Sequence, residues 1–416
     1  RSVTDKGVFM EELVVGIDLC DSYTQVCCAE EEAVWTIPTV ICRHKTAEEW
    51  FVGEEAYAHN LKGYGVNVDK LVKLVRKDGT ATLGGIRYGA RELLSLFLER
   101  ALEAPKRELG AGRISQLVVT VNNMEPRLME ALYAFGQRLG LDREHTHIIS
   151  HSESFLYYIL SQKKEIWNGT VGMFDLSAEK LRYYEMRVQR GLKKTTVLAD
   201  CEDLDEGFNL DILNTVSGGR LADKILCSCA SRLMQKKTYS SVFLTGKGFE
   251  NRDWAEEFMK YLCTKRRVYM ESAIFSRGAA YRAADCSQER TSYPFTIICE
   301  GRLKHTVSMT VLHKGQEMSV VLAGAGESWY DRVAAVDVIP DQQDTVDLSV
   351  TPLDVKKRRQ VSIPLEGFPK RPPRTTKVRV QVSFLDDRTM DVRIQDRGFG
   401  ELFPASEVQI RQEVML

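Results

Sequence analysis

Twice along the chain an apolar strand ends on a lone aspartate followed by a polar turn, and this repeat constrains the fold more than any other feature. The first copy is VVGIDLCDSYTQV, Val14 to Val26, with Asp18 at the strand end; the second is GTVGMFDLSAEKLRYYEM, Gly169 to Met186, with Asp175 in the matching place. A carboxylate at such a point, beside a polar turn, is a common beginning for a phosphate and metal site. An isolated aspartate there reads equally well as a turn or cap residue. Two copies predict two similar half-domains facing one cleft, with Asp18 and Asp175 looking into it.

A chain of 416 residues is too long for one ordinary core, so two or three domains are expected. The 57 Lys and Arg residues nearly cancel the 58 Asp and Glu residues, which argues against a global field that recruits nucleic acid or an anionic membrane. The basic clusters Lys356 to Arg359 and Lys370 to Arg374 lack interleaved aromatics and read as solvated turns. No apolar run reaches the roughly 18 residues of a bilayer span, and Arg1 to Glu12 lacks a signal-peptide core, so a cytoplasmic chain with no membrane partner is expected. Ten scattered cysteines without C-x-x-C pairs read as small buried thiols in a reducing compartment.

Strand-like segments at Leu13 to Asp18, Thr24 to Ala29 and Leu117 to Val121 alternate with helices such as Arg91 to Glu103, where Leu93, Leu94, Phe97, Leu98, Ala101 and Leu102 form one apolar stripe. A second round contains the strand Ser241 to Leu244, the helix Trp254 to Leu262 and the small-residue helix Ile274 to Ala283. Such alternation predicts a layered α/β domain. After about Asp285 helices cease. Val378, Val380, Val382 and Phe384, then Met390, Val392 and Ile394 across the turn LDDRT, keep a period of two and predict a hairpin with one buried face. The expected division is therefore 12–285 for the α/β domain and 286–416 for an all-β domain.

Taken together, these segments resemble the DnaK-type heat-shock chaperones. Val14 to Val26, QLVVTVNNM (Gln116 to Met124), HSESFLYYI (His151 to Ile159), Gly169 to Met186, SVFLTGKGFE (Ser241 to Glu250) and IFSRGAAYRA (Ile274 to Ala283) follow the family's order. WTIPTV (Trp35 to Val40) and FVGEEA (Phe51 to Ala56) resemble its first-lobe strands, and Ile363 to Gly398 is similar to the second half of its peptide-binding sandwich. The resemblance implies an actin-like fold of two lobes around ATP or ADP with Mg²⁺, followed by a β-sandwich. Helices Ser154 to Gln162 and Ile274 to Ala283 would join the lobes. Carried over residue by residue, Asp18 and Asp175 would face the metal, Glu153 would orient water, Lys73 would approach the γ-phosphate, and Ser22, Ser177, Gly246 and Gly248 would lie at nucleotide turns. Lys70, Arg76 or Lys77 fit the lysine's place as well as Lys73 does.

The departures are chemical. Asp18-Leu19-Cys20-Asp21-Ser22 replaces the family's Asp-Leu-Gly-Thr-Thr, which adds a negative charge where phosphate would sit. Asp175-Leu176-Ser177-Ala178-Glu179-Lys180 replaces a triple-glycine turn, and Arg182 stands where the family has an aspartate. Lys247 separates Gly246 from Gly248, and between Leu210 and Tyr239 there is room for little beyond one helix, Arg220 to Met234, where the family has an adenine clamp. His145, His147 and His151 are dense enough for a metal but lie across a strand and a turn, where side chains diverge. The family's peptide-gripping loops would fall between Thr296 and Gly324, where no matching loop sequence occurs; its interdomain linker is replaced by Asp285 to Tyr293, and no helical lid is expected. The expectation is a chaperone-related or scaffold protein with a degraded cleft and a protein or peptide partner on its β domain. The alternatives are a slow Mg²⁺-dependent ATPase and an actin-like assembly protein.

Overall fold

The computed structural model describes residues 12–178, 180–191 and 194–416. Two compact units divide them. The first holds the described residues up to Val188 and Ala199–Pro294; the second holds those of 189–198 and Phe295–Leu416.

Within the first unit one five-strand plan occurs twice. Its first half begins β1 (Glu12–Leu19), β2 (Tyr23–Cys28), β3 (Val34–Pro38). An excursion follows: β4 (Val40–His44), β5 (Trp50–Val52), α1 (Gly53–Leu61), β6 (Gly65–Asp69), α2 (Leu71–Arg76), β7 (Thr80–Leu83), β8 (Ile86–Gly89), α3 (Ala90–Ala101) and α4 (Glu103–Glu108). The chain then returns as β9 (Arg113–Val121), α5 (Pro126–Arg138) and β10 (Thr146–Ser150), giving a sheet of order β10-β9-β1-β2-β3. After α6 (His151–Leu160) and α7 (Lys164–Trp167), the second half runs β11 (Thr170–Leu176), β12 (Leu181–Arg190), β13 (Thr195–Asp203), α8 (Val216–Met234), β14 (Tyr239–Thr245), α9 (Glu256–Cys263), β15 (Val268–Met270) and α10 (Ile274–Cys286). Its strands lie in the order β15-β14-β11-β12-β13. In each half the leading strand, β1 or β11, pairs antiparallel with the next strand and parallel with the fourth. Both aspartates thus stand at the carboxyl ends of central strands, where open α/β sheets build their sites.

Tight packing holds the centre. Val15, Ile17 and Leu19 of β1 are buried, as are all ten residues of α6. α6 starts at His151 because the Ser150 hydroxyl accepts the Glu153 N–H at 3.2 Å, a serine N-cap. Two glycines set how closely the elements approach. A Cβ on Gly16 would overlap the Ala280 backbone of α10, and one on Gly278 would overlap the Ser154 carbonyl of α6. No described helix is long and apolar enough to cross a membrane.

Several element ends differ from the sequence reading. FVGEEA is strand only in its first two residues and helix in the other four, since α1 begins at Gly53. α9 begins at Glu256, after Trp254, because the buried Asp223 carboxylate accepts the N–H groups of Glu257 (2.9 Å) and Phe258 (2.8 Å). The polar stretch after α10 belongs with the first unit as far as Pro294. Asp285 is buried there, accepting from Thr291 Oγ1 (2.8 Å) and Ser292 N (2.6 Å), and Tyr293 Oη lies 2.6 Å from Ser161 Oγ.

Strands alone carry the second unit apart from one short 3-10 turn among its described residues. β16 (Thr296–Ile298) pairs in parallel with Thr196–Leu198. Four antiparallel strands follow in one sheet, β17 (His305–His313), β18 (Gln316–Ala323), β20 (Thr345–Pro352) and β21 (Arg359–Pro364). A second sheet holds β19 (Ala334–Val338), β22 (Val378–Phe384), β23 (Thr389–Asp396) and β24 (Gln409–Met415). The β22–β23 hairpin buries Val378, Val380, Val382, Phe384, Met390, Val392 and Ile394, the period-two set read from the sequence. β17 turns into β18 through Lys314 and Gly315, both at positive φ, the two-residue turn that suits a twisted hairpin. A long gripping loop is absent at that point. Beneath the second sheet, Arg371 makes a bidentate pair with buried Asp396 (2.8 and 2.7 Å).

Candidate functional site

In the first turn Asp18 is fully buried at the end of β1. Its Oδ1 lies 2.7 Å from His151 Nε2 and 3.6 Å from Cys20 Sγ. The imidazole, from the first residue of α6, stacks on Phe275 of α10 with ring centroids 4.0 Å apart and planes 8° from parallel. Asp18 Oδ2 and His151 Nδ1 are buried and make no hydrogen bond among the described residues. The turn closes on itself, Cys20 N–H donating to the Tyr23 carbonyl at 3.0 Å. Asp21 Oδ1 accepts the N–H groups of Val72 (2.9 Å) and Lys73 (3.2 Å), the first turn of α2. The added negative charge thus caps the start of a helix.

The second turn is also self-closed. Ser177 N–H and Oγ both donate to the Lys180 carbonyl, at 3.3 and 3.2 Å. Cations stand beyond it. Arg182, buried on β12, approaches Asp203 with Nε at 2.7 Å and donates from Nη1 to the Asn122 carbonyl at 3.4 Å, while Lys180 Nζ meets Asp203 at 2.6 Å. Partial burial pushes the Asp203 carboxyl up, but Lys180 and Arg182 outweigh it and hold that group below the usual carboxylate range.

These turns line one pocket, walled by Cys20, Ser22, Asn122, His151, Asp175, Ser177, Lys180 and Arg182. It leaves space for roughly one water molecule. Of the residues singled out from the sequence, Asp175, Ser22 and Ser177 reach this pocket, and Asp18 stands behind its His151 and Cys20 walls. Glu153 is buried one helical step from His151 and does not line it. Lys73 is an exposed residue of α2 whose backbone N–H donates to Asp21 Oδ1. Arg76, among the alternatives, reaches Asn122 Oδ1 at 3.5 Å and pairs with Glu125.

Gly246 and Gly248 serve packing. A Cβ on Gly246 would meet the Leu176 carbonyl and Asp175 Oδ1, and one on Gly248 would overlap the Leu176 side chain. Glu179 lies outside the described residues.

His151 is the residue that the sequence reading set aside. His145 pairs with Asp142 and His147 with the Glu144 carbonyl, so the three histidines diverge as expected. Yet His151 follows β10, two places from β1 in the sheet, which carries it to the edge where β1 delivers Asp18. The cysteine expectation fares unevenly: Cys20, Cys27, Cys28, Cys42, Cys229 and Cys299 are buried, whereas Cys201 and Cys263 are exposed. Burial pushes the Cys27 and Cys28 thiols up to about 11 and about 12, which keeps them protonated and inert at neutral pH.

The residues do not fit Mg²⁺ with a nucleotide. Mg²⁺ takes oxygen ligands and retains several waters, whereas here Asp18 Oδ1 is engaged by an imidazole and the adjoining pocket has space for roughly one water. Residues 22–300 match the family described as family of unknown function (DUF5716) C-terminal, and the chain belongs to that family. Residues 302–416 match a domain of unknown function (DUF8552). No curated protein matches the chain.

Proposed function

We propose that this member of the DUF5716 family is a chaperone-related scaffold: an actin-like first unit whose cleft no longer admits adenine nucleotide, and a β-sandwich second unit that meets a protein or peptide partner. One observation carries the reading. The carboxylate that would hold Mg²⁺ is paired through Oδ1 with His151 at 2.7 Å behind a pocket with space for roughly one water. The self-closed turns support it, because the Cys20 and Ser177 N–H groups that would face phosphate donate within their own hairpins. The duplicated strand order supports the actin-like reading, and the strand-only second unit supports the sandwich.

Thermal unfolding of the full chain with millimolar ATP or ADP and Mg²⁺ tests this. Nucleotide bound at a hundred times its Kd adds about 2.7 kcal/mol to stability, so micromolar affinity raises Tm plainly. The scaffold reading predicts no rise; a rise that grows with nucleotide and is lost in Asp18→Asn overturns it. A second reading, the slow Mg²⁺-dependent ATPase, is favoured by one feature: Ser22, Asp175 and Ser177, from both turns, share one pocket. Phosphate release that Asp175→Asn abolishes is its signature.

A further inference from the structure

We propose that Asp18, Cys20 and His151 form a three-ligand site for a transition-metal dication of the Zn²⁺ class. A carboxylate oxygen, the Cys20 thiol sulfur and an imidazole nitrogen lie within 4.8 Å of one another. Around a tetrahedral Zn²⁺, with bonds of about 2.0 Å to nitrogen or oxygen and about 2.3 Å to sulfur, ligand atoms stand about 3.3–3.6 Å apart. Cys20 Sγ and Asp18 Oδ1 are already at 3.6 Å. The 2.7 Å contact between Asp18 and His151 has to open by about 0.6 Å to reach the tetrahedral spacing, or Asp18 can offer Oδ2, which is buried and makes no hydrogen bond among the described residues.

The donor set selects the ion. Mixed sulfur, nitrogen and oxygen ligands suit Zn²⁺ or Co²⁺ and not Mg²⁺. Stacking on Phe275 fixes the imidazole with its Nε2 edge toward Asp18. The adjoining pocket has space for roughly one water, enough for a fourth ligand of the open kind found in three-ligand sites. Binding releases the Cys20 thiol proton and moves the imidazole proton from Nε2 to Nδ1. Nδ1 has no acceptor among the described residues. Outer partners of this kind are typically worth about 10–100-fold in affinity, so the ion is held more weakly than in a structural zinc site and exchanges. The inference does not rest on the scaffold reading, since metal and nucleotide are titrated separately.

The test uses the full chain, stripped with chelator and kept reduced, titrated with Co²⁺. One equivalent is expected to give a near-ultraviolet thiolate-to-Co²⁺ charge-transfer band with the visible bands of tetrahedral cobalt, and Zn²⁺ is expected to bleach both. Cys20→Ser removes the charge-transfer band and His151→Ala weakens binding at least about tenfold, while a variant with the exposed Cys201 and Cys263 both changed to serine keeps the full signal. Absence of the band, or a band that survives Cys20→Ser, overturns the proposal. X-ray absorption on the Zn²⁺-loaded wild-type chain decides without any variant: one sulfur with nitrogen and oxygen neighbours supports the site, and an all-oxygen shell or several sulfurs refutes it.

Discussion

The first turn pairs its aspartate with a buried imidazole, and beside the second turn a lysine–aspartate pair stands half exposed. Asp18 and His151 are both buried, and Asp21 is spent on the start of α2. Across the pocket Lys180 and Asp203 are each about half exposed, at 48% and 46%, with Arg182 the buried member. One strand plan has therefore been given opposite electrostatic solutions. The lesson concerns energetics: an ion pair in water adds little because solvent already screens both partners, whereas a buried partner cannot be removed without stranding the other.

Four comparisons would break or sharpen that contrast. The largest effect belongs to His151→Ala, which leaves Asp18 buried without its partner and is expected to destabilise the first unit by about 3–5 kcal/mol in urea unfolding; a loss under 1 kcal/mol, on the order of an exposed pair, would erase the difference between the turns. Next come the glycines of the two leading strands. Gly16→Ala drives a Cβ into the α10 backbone and is expected to cost about 1–3 kcal/mol, whereas Gly172→Ala places its Cβ 3.0 Å from Tyr183 Oη and 3.2 Å from the Tyr239 ring, a milder overlap expected to cost less. Asp21→Ala uncaps α2 and is expected to cost about 1 kcal/mol. Smallest is Lys180→Ala, expected below about 1 kcal/mol because the pair is half exposed.

Acid sharpens the same contrast from the second turn. Asp203 is held below its unfolded value, so the stability it contributes is present above about pH 4 and fades as pH falls through its lower folded pKa. Asp203→Asn is expected to flatten this part of the acid limb in a stability-against-pH series. An unchanged limb would show that Lys180 and Arg182 do not favour the charged form.

Much of the framework was legible because it is periodic. The α3 stripe from Leu93 to Leu102 is buried throughout, and the β22–β23 alternation names its own inward face. α10 runs from Ile274 as its small residues predicted, since Gly278 lets α6 approach. What the sequence hid were partnerships between distant segments. Nothing local marks Asp21 as the cap of a helix fifty residues on, or tells that the space beside Gly246 and Gly248 is filled by Leu176. His151 was hidden for the same reason. Its signal was topological, a histidine directly after a strand in the same sheet as the Asp18 strand, and three-histidine spacing pointed elsewhere.

A crystal structure of the full chain grown with millimolar ATP and Mg²⁺ tests the central claim most directly. His151 Nε2 is expected still 2.7 Å from Asp18 Oδ1, with no nucleotide between the two turns. Phosphate density between Ser22 and Ser177, with the imidazole displaced from Asp18, would contradict it.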